Sequence, residues 1–298
     1  MRPTKEEMKK YNTDYSPDTD FSAFARLLQS KWRNNKGYEQ GKLGNYLELD
    51  FSKKSKANYL TDKIKSLVTA TISEVRENKG LIGEPRIWNN LLSSQPLCFN
   101  LFGELHYDLN MATRFFCELF PSRVDKITSV KFEYSPGRGD NKYLGDHSAF
   151  DVFIEYVKNS KKGFIGIEVK YAESLKEETK EKALKNLKER YIELTNASGL
   201  FKENAIDVLQ KPPLSQIWRD HLLSLATRQD YEDGFFVYLF PAKNKEIQNG
   251  VNSYISYFKN TDEASTGFYF RYLENFIEVL NKLYKTQWAT ELKERYLG

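Results

Sequence analysis

Phe150 to Tyr171 reads FDVFIEYVKNSKKGFIGIEVKY. Two apolar runs, Phe150–Val157 and Gly163–Lys170, flank the polar stretch Lys158-Asn159-Ser160-Lys161-Lys162, so the spacing predicts a β-hairpin. Three charged residues, Asp151, Glu168 and Lys170, interrupt these strands, and burial alone gives them no reason to be there. Side chains alternate along a strand, so Glu168 and Lys170 share one face, roughly 7 Å apart, while Ile167 and Val169 point to the other. A turn centred near Ser160 brings Asp151 level with Glu168 or Lys170.

The surrounding chain has the composition of a folded protein. Hydrophobic residues make up 40% of the 298 positions and aromatics 14%, enough for a sizeable core. The net charge of +4 says little about a polyanionic partner, so local clustering of charge must carry that argument. Two cysteines (Cys98 and Cys117) and three dispersed histidines (His106, His147 and His221) form no zinc spacing and read as free thiols and scattered imidazoles. A hard cation held by oxygens remains compatible. The N-terminal MRPTKEEMKKYN has no apolar core, and no run is long enough to span a bilayer, so the expectation is a soluble cytoplasmic protein.

Outward from the hairpin, residues 1–20 read as a loose arm, Phe21–Trp32 as a helix, 37–56 as irregular, and Ala57–Asn78 as an amphipathic helix. Arg86–Leu92 reads as a short helix stopped by Ser93-Ser94-Gln95-Pro96, and Leu101–Phe120 as one helix ended by Pro121. Ile127–Tyr134 is a strand, followed by the turn-rich Ser135–Asn141. After the hairpin come a solvated helix within 172–196, the helix Leu214–Gln229, the buried strand Gly234–Phe240, and two closing helices, Asn249–Lys259 and Phe270–Tyr284. The order helix, strand, strand, strand, helix, strand over about 101–241 predicts an α/β core with a small mixed sheet and helical additions at both ends. No linker forces a division, so 1–298 reads as a single domain.

Glu-x-Lys also occurs at Glu7–Lys9, Glu77–Lys79, Glu178–Lys180 and Glu291–Lys293, always in polar segments; only Glu168-Val169-Lys170 lies in an apolar strand beside another strand with its own acid. Two carboxylates at one point, helped by the Val169 carbonyl, suit Mg²⁺, which prefers oxygen and keeps waters. Such an ion activates water and polarises a phosphoryl oxygen, while Lys170 offsets charge in the transition state. A structural cross-strand ion pair is the plainer alternative.

Asp151 followed by Glu168-x-Lys170 after two strands resembles the PD-(D/E)xK nuclease superfamily, of restriction-endonuclease-like fold. The stretches 86–103, 132–139, 145–151 and 216–223 are similar to one bacterial family within it, and the likeness extends over roughly 25–280. The resemblance implies an αβββαβ core, Asp151 and Glu168 as metal ligands, Lys170 as the catalytic lysine, Mg²⁺ (Mn²⁺ substituting) as cofactor and DNA as substrate, with RNA left open. By analogy it also implies a restriction or phage-defence role and is compatible with a homodimer. Phe150 stands where the family carries proline, which leaves Asp146 as a rival first ligand. Glu104 and Glu133 are candidates for an auxiliary acid, Gln216 for an auxiliary amide, and Arg86, Arg138 and Arg219 for contact with nucleic acid. Lys53, Lys54 and Lys56 offer a weaker backbone-tracking cluster. A nucleic-acid-binding module without turnover is the alternative function. The absence of a G-x-x-x-x-G-K loop speaks against an NTPase.

Overall fold

The computed structural model describes residues 2–78, 80, 82–175 and 179–298. Its centre is a five-stranded mixed sheet in the order β1 (Lys126–Tyr134), β2 (Phe150–Lys158), β3 (Lys161–Val169), β4 (Asp233–Phe240) and β5 (Phe268–Tyr272). The first three strands form an antiparallel meander, and β4 and β5 add in parallel. The hairpin turn is tighter than its polar stretch suggests. Lys158 pairs with Lys161, leaving only Asn159 and Ser160 at the turn, both with positive φ (47° and 64°). Such a two-residue turn matches the twist of the strands it joins and pins their register.

Alternation along the strands builds two cores. Ile165, Ile167, Val169, Val237 and Leu239 face one layer, where the helices Asp62–Glu77, Ser94–Tyr107, Leu109–Leu119 and Leu273–Leu283 pack. Phe153, Phe164, Phe236, Tyr238 and Phe240 face the other, under the helices Glu189–Ser198, Ser215–Thr227 and Lys245–Ile255. The sheet is therefore covered on both sides, as a sheet with a parallel half requires. The expected helix–strand–strand–strand–helix–strand order is present, flanked by helices at both ends.

Several expectations are corrected. Leu101–Phe120 is two helices, because Asp108 leaves the helical path and its carboxylate accepts the Met111 N–H (2.8 Å), capping the second. Ser94-Gln95-Pro96 starts the first of these rather than stopping a previous one; a proline in the first turn removes no intrahelical bond. Phe268–Tyr272 is a strand paired with β4, not the start of a helix: FYFRY has strand-forming aromatics, and the helical periodicity begins only at Leu273. The supposedly irregular 37–56 contains the helix Leu49–Ser55. Residues 1–20 are not loose where described: Met8 is buried and Asp18 forms an ion pair with Arg26 at 2.6 Å. Within 172–196, positions 176–178 lie outside the described residues; the remainder forms the helices Lys180–Lys185 and Glu189–Ser198, the second burying Tyr191. No described helix is long and apolar enough to cross a membrane, and Cys98 and Cys117 are free thiols.

Candidate active site

The charged residues of β2 and β3 meet a third acid at one end of the sheet. Phe132 pairs with Val152 and Tyr134 with Phe150, which brackets Glu133 against Asp151. Val152 pairs with Ile167, so the next step along the hairpin sets Asp151 against Glu168, and Glu168 pairs with Tyr238. Glu133, Asp151, Glu168 and Tyr238 thus form a row across four strands. Alternation breaks at this row. Phe132 and Val152 pack in the first core, whereas Tyr134 and Phe150, of the same parity, pack against the second. Glu133 sits at the switch with φ 50°, in the left-handed region that costs a non-glycine residue about 1–3 kcal/mol. Asp151 turns its carboxylate across the end of the strand pair and accepts the Val169 N–H at 2.7 Å.

Glu168 and Lys170 are 7% and 9% exposed, and the ammonium lies 2.7 Å from Glu168 Oε1. The same oxygen accepts a hydrogen bond from Gln216 Nε2 at 3.1 Å, from the helix after the meander. The Lys170 backbone N–H donates to the Leu239 carbonyl (2.8 Å), fixing the end of β3 to β4. On the other side, Gln95 Nε2 donates to Glu133 Oε1 at 2.6 Å while Gln95 Oε1 accepts the Gly83 N–H. Gln95 is itself held by a contact that spans 79 residues: Glu173 accepts the Ser94 N–H (2.6 Å) at the helix start and the Tyr171 N–H (2.9 Å) just beyond β3. Negative charge there also suits the helix dipole.

The electrostatics are those of too many carboxylates for one lysine. Burial, followed by repulsion from Glu168 and Glu133, pushes the Asp151 carboxyl well above the usual carboxylate range. Burial raises Glu133 to about 7, with Glu168 adding to the rise and the Gln95 hydrogen bond opposing it. For Lys170 burial disfavours the charge, yet Glu168 beside it wins and holds the ammonium firmly protonated. Among the described residues no three His, Cys, Asp or Glu side chains converge as a ready-made metal set. The donors nonetheless fit an oxygen-seeking divalent cation that keeps several waters: Asp151, Glu168 and Glu133 line one cavity of about 510 Å³, and two of them are pushed toward protonation by burial first and by neighbouring negative charge second.

Arg86 lines this cavity, and Arg138 lines a neighbouring one of about 850 Å³ that shares Glu133 as a wall. Both guanidiniums draw Glu133 toward ionisation. The other expected residues lie elsewhere. Asp146 is occupied as a loop anchor, accepting the Ser148 N–H and hydroxyl (2.8 and 2.9 Å) and the Tyr191 hydroxyl. Glu104, nine residues and roughly 14 Å along its helix from Gln95, accepts from Thr61 Oγ1 at 2.5 Å and is not a wall of the cavity. Arg219 lies beside Tyr191 and Asp220 and favours the ionised form of each. Lys53 and Lys54 are exposed on the helix Leu49–Ser55.

Two participants escaped sequence reasoning. Glu173 has no local signal beyond following β3 closely. Asp220 is buried one turn beyond Gln216 on the same helix; burial and then Glu168 push its carboxyl well up. Among the described residues its Oδ2 and the Tyr238 hydroxyl are buried with no hydrogen-bond partner, behind the Glu168–Lys170 pair.

The model of one protein family matches residues 16–298, and its description is the PD-(D/E)XK nuclease superfamily. No curated protein and no solved structure matches the chain.

Proposed function

The chain belongs to the PD-(D/E)XK nuclease superfamily, and from that premise we propose that it is a Mg²⁺-dependent endonuclease acting on DNA, folded as one nuclease domain. The observation that carries this reading is the convergence of Asp151, Glu168 and Lys170 in one cavity, with Glu133 and Gln216 beside them. Asp151, Glu168 and the Val169 carbonyl would hold the metal, with Mn²⁺ able to replace Mg²⁺. A cation held there would supply an acidified water and offset charge on the phosphoryl group.

The remaining work falls to the chain's own side chains. Gln216 holds Glu168 in one orientation from outside the strand. Lys170, its ammonium 2.7 Å from Glu168 Oε1, orients the attacking water and stabilises negative charge on the phosphoryl oxygens. Glu133, a wall of the same cavity, is placed to exchange a proton with a water there. Arg86 and Arg138 have the planar fork that binds phosphate and stand on the two sides of Glu133, ready to hold phosphates flanking the one cut.

The test is a cleavage assay on linear, circular and single-stranded DNA and on RNA, with Mg²⁺, with Mn²⁺ and with EDTA. Asp151→Ala, Glu168→Ala and Lys170→Ala should each abolish metal-dependent cleavage, while Asp146→Asn should retain the metal requirement. Full cleavage by all three alanine variants overturns the assignment. Metal-independent DNA binding by wild type without any cleavage favours a binding module instead.

A further inference from the structure

We propose that the cavity of about 850 Å³ beside the acid row is a subsite for one unpaired nucleotide next to the phosphate being cut. The inference rests on the nuclease reading and adds a substrate class to it. Glu133 is a wall of both this cavity and the acidic one, so a strand with its phosphodiester at Asp151 and Glu168 has its neighbouring nucleotide here.

The cavity has separate places for the parts of a nucleotide. Leu67 and Val75 of the helix Asp62–Glu77 and Phe132 of β1 supply an apolar wall against which a base can lie. His106 supplies a directional group. Its Nδ1 is 2.7 Å from the Val130 carbonyl, which can only accept, so Nδ1 carries the hydrogen and Nε2 is left for a hydrogen bond with a base edge. Arg138 supplies the cation. Among the described residues its guanidinium makes no hydrogen bond or ion pair, whereas Lys131, on the same cavity, is paired with Glu155 at 2.9 Å. A Cβ on Gly80 would stand 3.4 Å from Arg138 Nη2, so the guanidinium rests against the end of the helical wall, at the cavity's rim.

Size selects the strand state. A space of this volume encloses one ligand of ordinary small-molecule dimensions. A base held in a duplex stack does not reach into it. Only a base out of its stack reaches the wall and His106, as in single strands, overhangs or everted positions.

The test measures binding in EDTA, independent of turnover, by fluorescence anisotropy with a labelled 12-nucleotide single strand and the corresponding duplex. Arg138→Ala removes the cation. Ala70→Trp fills the cavity from a position that is exposed on its helix, so the fold is not at stake. Wild type should bind the single strand more tightly than the duplex, and each variant should lose about tenfold or more in single-strand affinity, the change that one base's stacking is worth; Ala70→Trp, which removes no phosphate-holding cation, should leave duplex affinity unmoved. Wild-type affinity for the single strand from both variants, or a wild-type preference for duplex, overturns the subsite. If wild type cleaves DNA while the variants keep full single-strand binding, the subsite fails and the nuclease reading stands. If the binding pattern appears but wild type cleaves nothing, the nuclease reading alone fails.

Discussion

Replacing Glu133 with glutamine should stabilise the metal-free protein at alkaline pH and leave it unchanged in acid. The Glu133 carboxyl, 4.5 when free, is raised to about 7 in the fold, chiefly by burial. Between these values the folded chain keeps a proton that the unfolded chain has lost. Its contribution to stability is therefore complete below pH 4.5 and is lost as the pH rises through about 7. Moving one carboxyl from 4.5 to about 7 corresponds to about 3 kcal/mol at pH 8. Glu133→Gln removes the charge, keeps an oxygen to accept from Gln95 Nε2, and leaves its amide N–H groups facing the water of the cavity. For a chain of this size the variant should melt about 6 °C above wild type at pH 8, at about 2 °C per kcal/mol, and with it at pH 4.5. Thermal unfolding in EDTA across that range reads the difference directly. Parallel melting curves at both pH values, or a variant less stable than wild type at pH 8, would refute the view that uncompensated negative charge at this row works against the fold.

Two further outcomes follow from the same geometry. Lys170→Met leaves the buried Glu168 carboxylate without its cation and should cost about 3–5 kcal/mol in chemical denaturation, whereas the double variant with Glu168→Gln should recover much of that loss; a double variant no more stable than the single one would show that the pair carries no such coupling. Gly166→Ala places a methyl group into the Phe150 ring, next to Asp151, and overpacking of this kind costs about 1–3 kcal/mol; calorimetry should show a lower melting point together with weakened cleavage, and an unchanged melting point would mean the ring has room to move.

What could be read from sequence lay close together along the chain. Two strands joined by a short turn lie side by side, so spacing and alternation placed Asp151, Glu168 and Lys170 on one patch, while the two-residue turn at Asn159 and Ser160 set the exact register. The helix–strand–strand–strand–helix–strand order was legible for the same reason, since each element announces its own periodicity. Boundaries were less so where apolar runs were continuous: Asp108 splits a helix and Leu273 begins one inside stretches that read as single elements, although Asp108 was a cap in plain view.

The environment of the patch belongs to the tertiary structure. Gln95 reaches Glu133 across 38 positions, Gln216 reaches Glu168 across 48, and Glu173 reaches Ser94 across 79. No local pattern encodes such contacts, because they exist only once the two cores have brought the helices against the sheet. The left-handed backbone at Glu133, the burial of Asp220 and the occupation of Asp146 by Tyr191 are of the same kind. Sequence by itself determined which charges share the strand ends, since alternation and a tight turn act over a few residues. Only the fold decided how strongly those charges oppose one another and what holds them, since burial and long-range packing set both.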